Sequence, residues 1–157
     1  MNTRSLHIAL GALLLTALLA QRGEAAPAPP ALYTQAQAQA GRAVFEKHCA
    51  SCHGKHLEGG VAPALEGENF ASAKSGFTIQ QIYEFLSVEM PAYAPGSLAS
   101  RQYLEITAFL LQRNGYPAGA RALTARIAAG AAVPLRYRAA GKASARVAHS
   151  GARADKP

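Results

Sequence analysis

Both cysteines of the chain stand in one short run, Cys49-Ala-Ser-Cys52-His53. This run restricts the fold more than any other feature. It takes up every thiol, so if both are used there, no disulfide is left to stabilise the rest of a small domain. A Cys-x-x-Cys pair can be a disulfide, a redox dithiol or half of a zinc site. Zinc needs two further ligands at a similar spacing, and no third cysteine exists. His48 and His56 crowd the same turn and do not make a second ligand pair. A thioredoxin-like dithiol opens a helix after a strand in a βαβ setting, and no such strand is legible here.

Cys-x-x-Cys-His is also the attachment sequence for c-type haem. Positions i and i+3 share a helical face, so Cys49 and Cys52 can form thioethers to the two vinyl groups on one porphyrin edge. His53, one residue on, can turn its imidazole under the iron. The sixth iron position needs another donor. Apart from Met1 the only methionine is Met90. It stands before Pro91 in a break between helical patterns, where no apolar period asks for a core residue. His48 and His56 are too close to His53 along the chain to reach across the macrocycle, and His149 lies in a polar tail. The metal ligands expected are therefore His53 and Met90.

The N-terminus pairs Arg4 with an apolar run over residues 8–20 and then small residues around Ala25 and Ala26. That is the pattern of an export signal cut near Ala25 or Ala26. The run is too short for the ~20 residues of a spanning helix. The expected compartment is the periplasm. Residues 1–25 read as the signal peptide and 26–33 as a Pro- and Ala-rich linker.

Three helices are expected in the domain over residues 34–118. The first covers residues 35–48, with Thr34 as N-cap. Good helix formers override the strand-like alternation of Gln and Ala in this stretch. Residues 54–76 are rich in Gly, Ala and Pro and read as loop. A second helix follows Thr78, with Ile79, Ile82 and Leu86 on one face, and stops at Pro91. The third repeats the spacing through Tyr103, Ile106 and Leu110 and stops at Asn114-Gly115.

Residues 119–157 differ in kind. From Arg121 onward eight basic side chains face only Asp155, which accounts for the whole formal charge of +7. Of the six tyrosines and five phenylalanines, only Tyr137 lies beyond Tyr116. This segment is expected to be a disordered basic tail that adds charge and little core. Its charge would suit an acidic redox partner or an anionic membrane surface; nucleic acid is not expected outside the cytoplasm.

Over residues 33–119 the chain resembles the monohaem class I c-type cytochromes of bacteria, exported proteins. The likeness rests on GRAVFEKHCASCHG, GGVAPAL, MPAYAPGSL and YLEITAFLLQRNGYPAG, in that order. The final helix, NGYPAG above all, is similar to cytochrome c subunits serving quinoprotein dehydrogenases. The resemblance implies an all-α fold wrapped around one covalent haem c with its iron. It implies that Gly41 and Phe45 mark where the first helix crosses the last, with Phe109 as aromatic partner. It also implies that the Pro63 carbonyl accepts a hydrogen bond from the His53 ring. Ala99 stands where that group often has a Ser or Thr cap; Ser100 is the nearest substitute and would shift the helix start.

The function expected is one-electron transfer from a dehydrogenase towards a terminal oxidase or another cytochrome. No acid, base or nucleophile is arranged for catalysis, and Glu66 and Glu68 read as solvated loop charges. A haem-based sensor or peroxidase-like enzyme would need a displaceable sixth ligand. A fixed subunit of a dehydrogenase complex would share the carrier's sequence features.

Overall fold

The computed structural model describes residues 28–72 and 74–139. The expected signal peptide lies outside these residues, as does the end of the basic tail. Among the described residues there are five helices and no β-strand. They are α1 (Gln35–His48), α2 (Ala50–His53), α3 (Ile79–Glu89), α4 (Ser100–Arg113) and α5 (Ala125–Ala129). None is long and apolar enough to cross a membrane.

Local chemistry explains where the long helices start and stop. The Thr34 hydroxyl accepts from Gln37 N at 3.2 Å and opens α1. Thr78 and Gln81 form a reciprocal capping box at the start of α3, which satisfies two of the four unpaired N–H groups at a helix start. At α4 the cap is Ala99, and Ser100 does not take over. The Gln102 side chain instead reaches back to accept from Ala99 N at 3.0 Å. The end of α4 is a Schellman turn. Tyr116 N donates to Leu111 O, Gly115 N donates to Gln112 O, and Gly115 sits at φ 83° where a Cβ would be strained.

The core is organised by α4, whose buried face runs from Tyr103 to Leu111. Helix α1 crosses it at Gly41. A Cβ at Gly41 would lie 1.8 Å from the Glu105 carbonyl oxygen, so only hydrogen fits at the crossing. One turn on, the Phe45 and Phe109 rings meet with centroids 5.5 Å apart, tilted by 51°, within the range of favourable aromatic pairs.

Beyond residue 118 the structure departs from the sequence reading. Residues 119–139 pack back onto the helices through four buried side chains and a set of backbone hydrogen bonds. Leu123 and Leu135 are 2 % and 1 % exposed, and Ala128 and Ala131 are buried with them. Their neighbours include Tyr33, Ile79, Leu111 and Tyr116. The Gln37 amide clamps both backbone groups of Leu123, donating to its O and accepting from its N, each at 2.8 Å. The strap then runs past the start of α3, where the Val133 and Ala131 carbonyls accept from Ile79 N and Gln80 N. Those two N–H groups have no partner inside the helix, so the strap completes the cap. Tyr137 N reaches Ala71 O and Arg138 N reaches Asn114 O. Charge misled the sequence reading: Arg121 and Arg126 are exposed, whereas Arg136 donates to Ser72 O and Leu135 O and Arg138 lies over the Tyr116 ring. Tyr33, assigned to a linker, is likewise buried, its hydroxyl donating to Tyr116 O at 2.6 Å.

Candidate functional site

At the end of α1 the chain kinks at Cys49, whose N still donates to Phe45 O. Helix α2 is a single turn, and Cys52 N and His53 N both return to Cys49 O. Cys49 is half-buried and Cys52 exposed, both as free thiols. After His53, Gly54 at φ 82° and Leu57 at φ 64° turn the chain sharply. Gly59 N then donates to His53 O, and Ala62 N to Cys52 O. The loop thus folds back on the cysteine turn, and Leu57 is driven fully into the core beside Phe45.

This fold-back brings Pro63 to the histidine, with His53 Nδ1 2.7 Å from the Pro63 carbonyl oxygen. The carbonyl can only accept, so Nδ1 carries the proton. Nε2 is then the unprotonated nitrogen, the form that can bind a metal.

Met90 comes from the other side of the sequence. It is the C-cap of α3, extended at φ −116° and ψ 154°, with its N still donating to Leu86 O. Cys49, Cys52, His53, Pro63 and Met90 all line one cleft of about 340 Å³. The remaining walls are largely apolar, including Phe45, Leu65, Leu86 and Ile106. At its rim His48 Nδ1 lies 2.8 Å from the Tyr93 hydroxyl, while Val61 and Tyr93 are exposed. Sequence reasoning had set His48 aside and had not singled out Tyr93. The pairing depends on a loop closure that no local pattern announces. A larger groove of about 570 Å³, lined by Glu68, Asn69, Ala71, Ser72, Lys74, Arg136 and Tyr137, contains none of the expected site residues.

The Cys49 thiol does not have the character of a reactive nucleophile. Burial first, and the neighbouring Cys52 second, push the Cys49 thiol up to about 11, whereas a reactive pair has a depressed value. Among the described residues no group of three or more His, Cys, Asp or Glu is placed to hold a metal ion. A zinc site of protein ligands alone therefore has no support there. An apolar cleft with two thiols, an unprotonated imidazole nitrogen and a thioether on its walls fits a flat, largely apolar iron macrocycle.

Comparison with a protein family agrees. The family model described as cytochrome c oxidase, cbb3-type, subunit III matches residues 36–110. No curated protein matches the chain. A solved structure of the sulfane dehydrogenase SoxCD from Paracoccus pantotrophus aligns at 24 % identity and a TM-score of 0.42. That alignment covers 60 % of this chain and 60 % of the other, so the chain spans well under two thirds of it. The match implies covalent haem c with its iron as the cofactor. Residues 36–110 thus match a class I c-type cytochrome domain.

Proposed function

We propose that this chain is a periplasmic one-electron carrier, with the haem joined to Cys49 and Cys52 and its iron held by His53 and Met90. The observation that carries this reading is the gathering of all four side chains on one apolar cleft. Bound there, the haem supplies a reversible ferrous–ferric couple. The protein's residues set how that couple behaves. Pro63 O fixes the His53 ring and its tautomer at 2.7 Å, a contact that orients the ligand and tunes the metal. A thioether ligand raises the reduction potential compared with harder donors. Phe45, Leu65, Leu86 and Ile106 keep water from the cleft, which disfavours extra charge on the oxidised form.

The donor proposed is a dehydrogenase and the acceptor a terminal oxidase or a further cytochrome, with this chain either diffusing between them or fixed to one. Export follows from the N-terminal pattern, which lies outside the described residues. The charge beyond residue 139, Lys142, Arg146, Arg153 and Lys156 against Asp155, would attract an acidic partner or an anionic membrane surface, an attraction weakened by salt.

The test is the sixth ligand. The unmodified ferrous protein should resist carbon monoxide at neutral pH, and the ferric form should show the weak far-red sulfur-to-iron band. Met90→Ala should abolish the band, admit carbon monoxide and lower the potential. Rapid carbon monoxide binding by the unmodified protein, with no such band, would overturn the carrier reading in favour of a ligand-binding haem protein.

A further inference from the structure

Met90 lies beyond the last turn of α3, so the helix no longer fixes its side chain. Residues 90–98 close on themselves through three backbone bonds. Ala94 N donates to Pro91 O at 2.9 Å, Gly96 N to Met90 O at 3.2 Å and Ser97 N to Ala94 O at 3.3 Å. Such a ring has internal shape but no anchor. The buried anchor is one hydroxyl on α4. Tyr103 OH donates to Met90 O at 2.7 Å and accepts from Leu98 N at 3.1 Å. It therefore grips both ends of the loop at once.

Tyr103 is only 3 % exposed and packs among Phe45, Leu86, Ile106 and Phe109. Its ring belongs to the core, and a phenylalanine would fill the same space. The hydroxyl has a separate role, since the helix that carries it crosses α1 closely at Gly41 and can anchor the loop to the core. The other tie, between Tyr93 and His48, is exposed at the rim, where water competes for both groups.

We infer that Tyr103 is a positioning residue for the sixth iron ligand: through Met90 O and Leu98 N it holds the 90–98 loop so that the Met90 sulfur stays on the iron. The inference rests on the Met90 assignment proposed above. Loss of the hydroxyl frees Met90 O from one of its two donors and leaves Leu98 N unpartnered. The loop then opens more readily, and an external ligand competes better with the sulfur.

The experiment uses the full, haem-loaded protein and a matched control. Tyr103→Phe deletes this hydroxyl. Tyr33→Phe deletes another buried tyrosine hydroxyl bonded to a backbone carbonyl, in the other core and away from the cleft. Both should melt slightly earlier. Only Tyr103→Phe should bind imidazole to the ferric iron more tightly, by about tenfold, as expected for a buried hydrogen-bond pair, and weaken the far-red band. Imidazole affinity and band equal to those of Tyr33→Phe would overturn the inference. A band missing from the unmodified protein would instead overturn the Met90 assignment, and this inference with it. Should Tyr103→Phe fail to mature, amide exchange on the unmodified protein decides. Saturating imidazole should speed exchange at Leu98 and Gly96, and unchanged protection there would show that loop and ligand are not coupled.

Discussion

Helix α4 serves two hydrophobic clusters that are closed in different ways. The first, around Phe45, Leu57, Leu86, Tyr103, Ile106, Phe109 and Leu110, opens onto the cleft that holds the cysteines, His53 and Met90. The second, around Tyr33, Ile79, Leu111, Tyr116, Leu123 and Leu135, is built partly from the first and last described segments and contains no expected haem residue. Each has a buried tyrosine whose hydroxyl reaches a carbonyl across the fold, Tyr103 to Met90 and Tyr33 to Tyr116. The first cluster can be completed by a bound group. The second must be completed by polypeptide, and the strap over residues 119–139 does this with two leucines, two alanines and a set of backbone hydrogen bonds. A small domain thus leaves one core to its cofactor and closes the other with chain from beyond the family match.

The largest effect should come from removing the strap. Truncation after Ala120 strips Leu123, Ala128, Ala131 and Leu135 from the second core and uncaps Ile79 N and Gln80 N. At ~1.5–3 kcal/mol for each large buried side chain, the loss rivals the whole stability of a small domain. The truncated protein should be unfolded or melt far below the full chain, whereas truncation after Ala139 should leave the melting temperature almost unchanged. Equal melting of both truncations would mean that the second core stands without its strap.

Gly41→Ala tests the junction between the clusters. Its methyl would collide with the Glu105 carbonyl, which is backbone and cannot swing away. Helices α1 and α4 must separate, at a cost of roughly 1–3 kcal/mol or more, and the Phe45–Phe109 contact should loosen with them. Denaturant unfolding measures the cost, and a wild-type midpoint would contradict the close crossing.

Tyr33 provides the smallest effect, and its pH-dependent part is confined to alkaline pH. Burial pushes its phenol up to about 12 from the ordinary 10.0. The folded state therefore keeps the proton after the unfolded chain has lost it. The neutral phenol's contribution is complete below pH 10 and falls as pH rises through 10 towards 12, by at most about 2–3 kcal/mol. Tyr33→Phe removes that part of the alkaline slope, and the difference between the two stability–pH curves above pH 10 measures it. Parallel curves would mean that Tyr33 is solvated.

Much of the first cluster was legible because its signals are local. The Cys-x-x-Cys-His spacing, the Thr34 and Thr78 caps, the apolar period of α3 and α4 and the Asn114-Gly115 stop each act within a few residues, and local sterics and hydrogen bonding decide them. The Gly41 crossing and the His53–Pro63 bond were expected only through resemblance to a family, since neither follows from periodicity.

The second cluster was not legible. Leu123 and Leu135 are isolated apolar residues among arginines, with no period to mark them, and their burial depends on contacts made far along the chain, such as Gln37 with Leu123 and Ile79 with Val133. The same holds for the hydroxyl of Tyr103. In the sequence it is one more apolar position on α4, and it becomes a clasp only where Met90 and Leu98 meet it. Sequence alone therefore pointed to the residues proposed to carry the haem and to the helical segments, because covalent spacing and backbone propensity are short-range. Tertiary structure decided which residues beyond 118 are buried and what Met90 O is bonded to, because burial and hydrogen-bond partners exist only after distant segments have closed on one another.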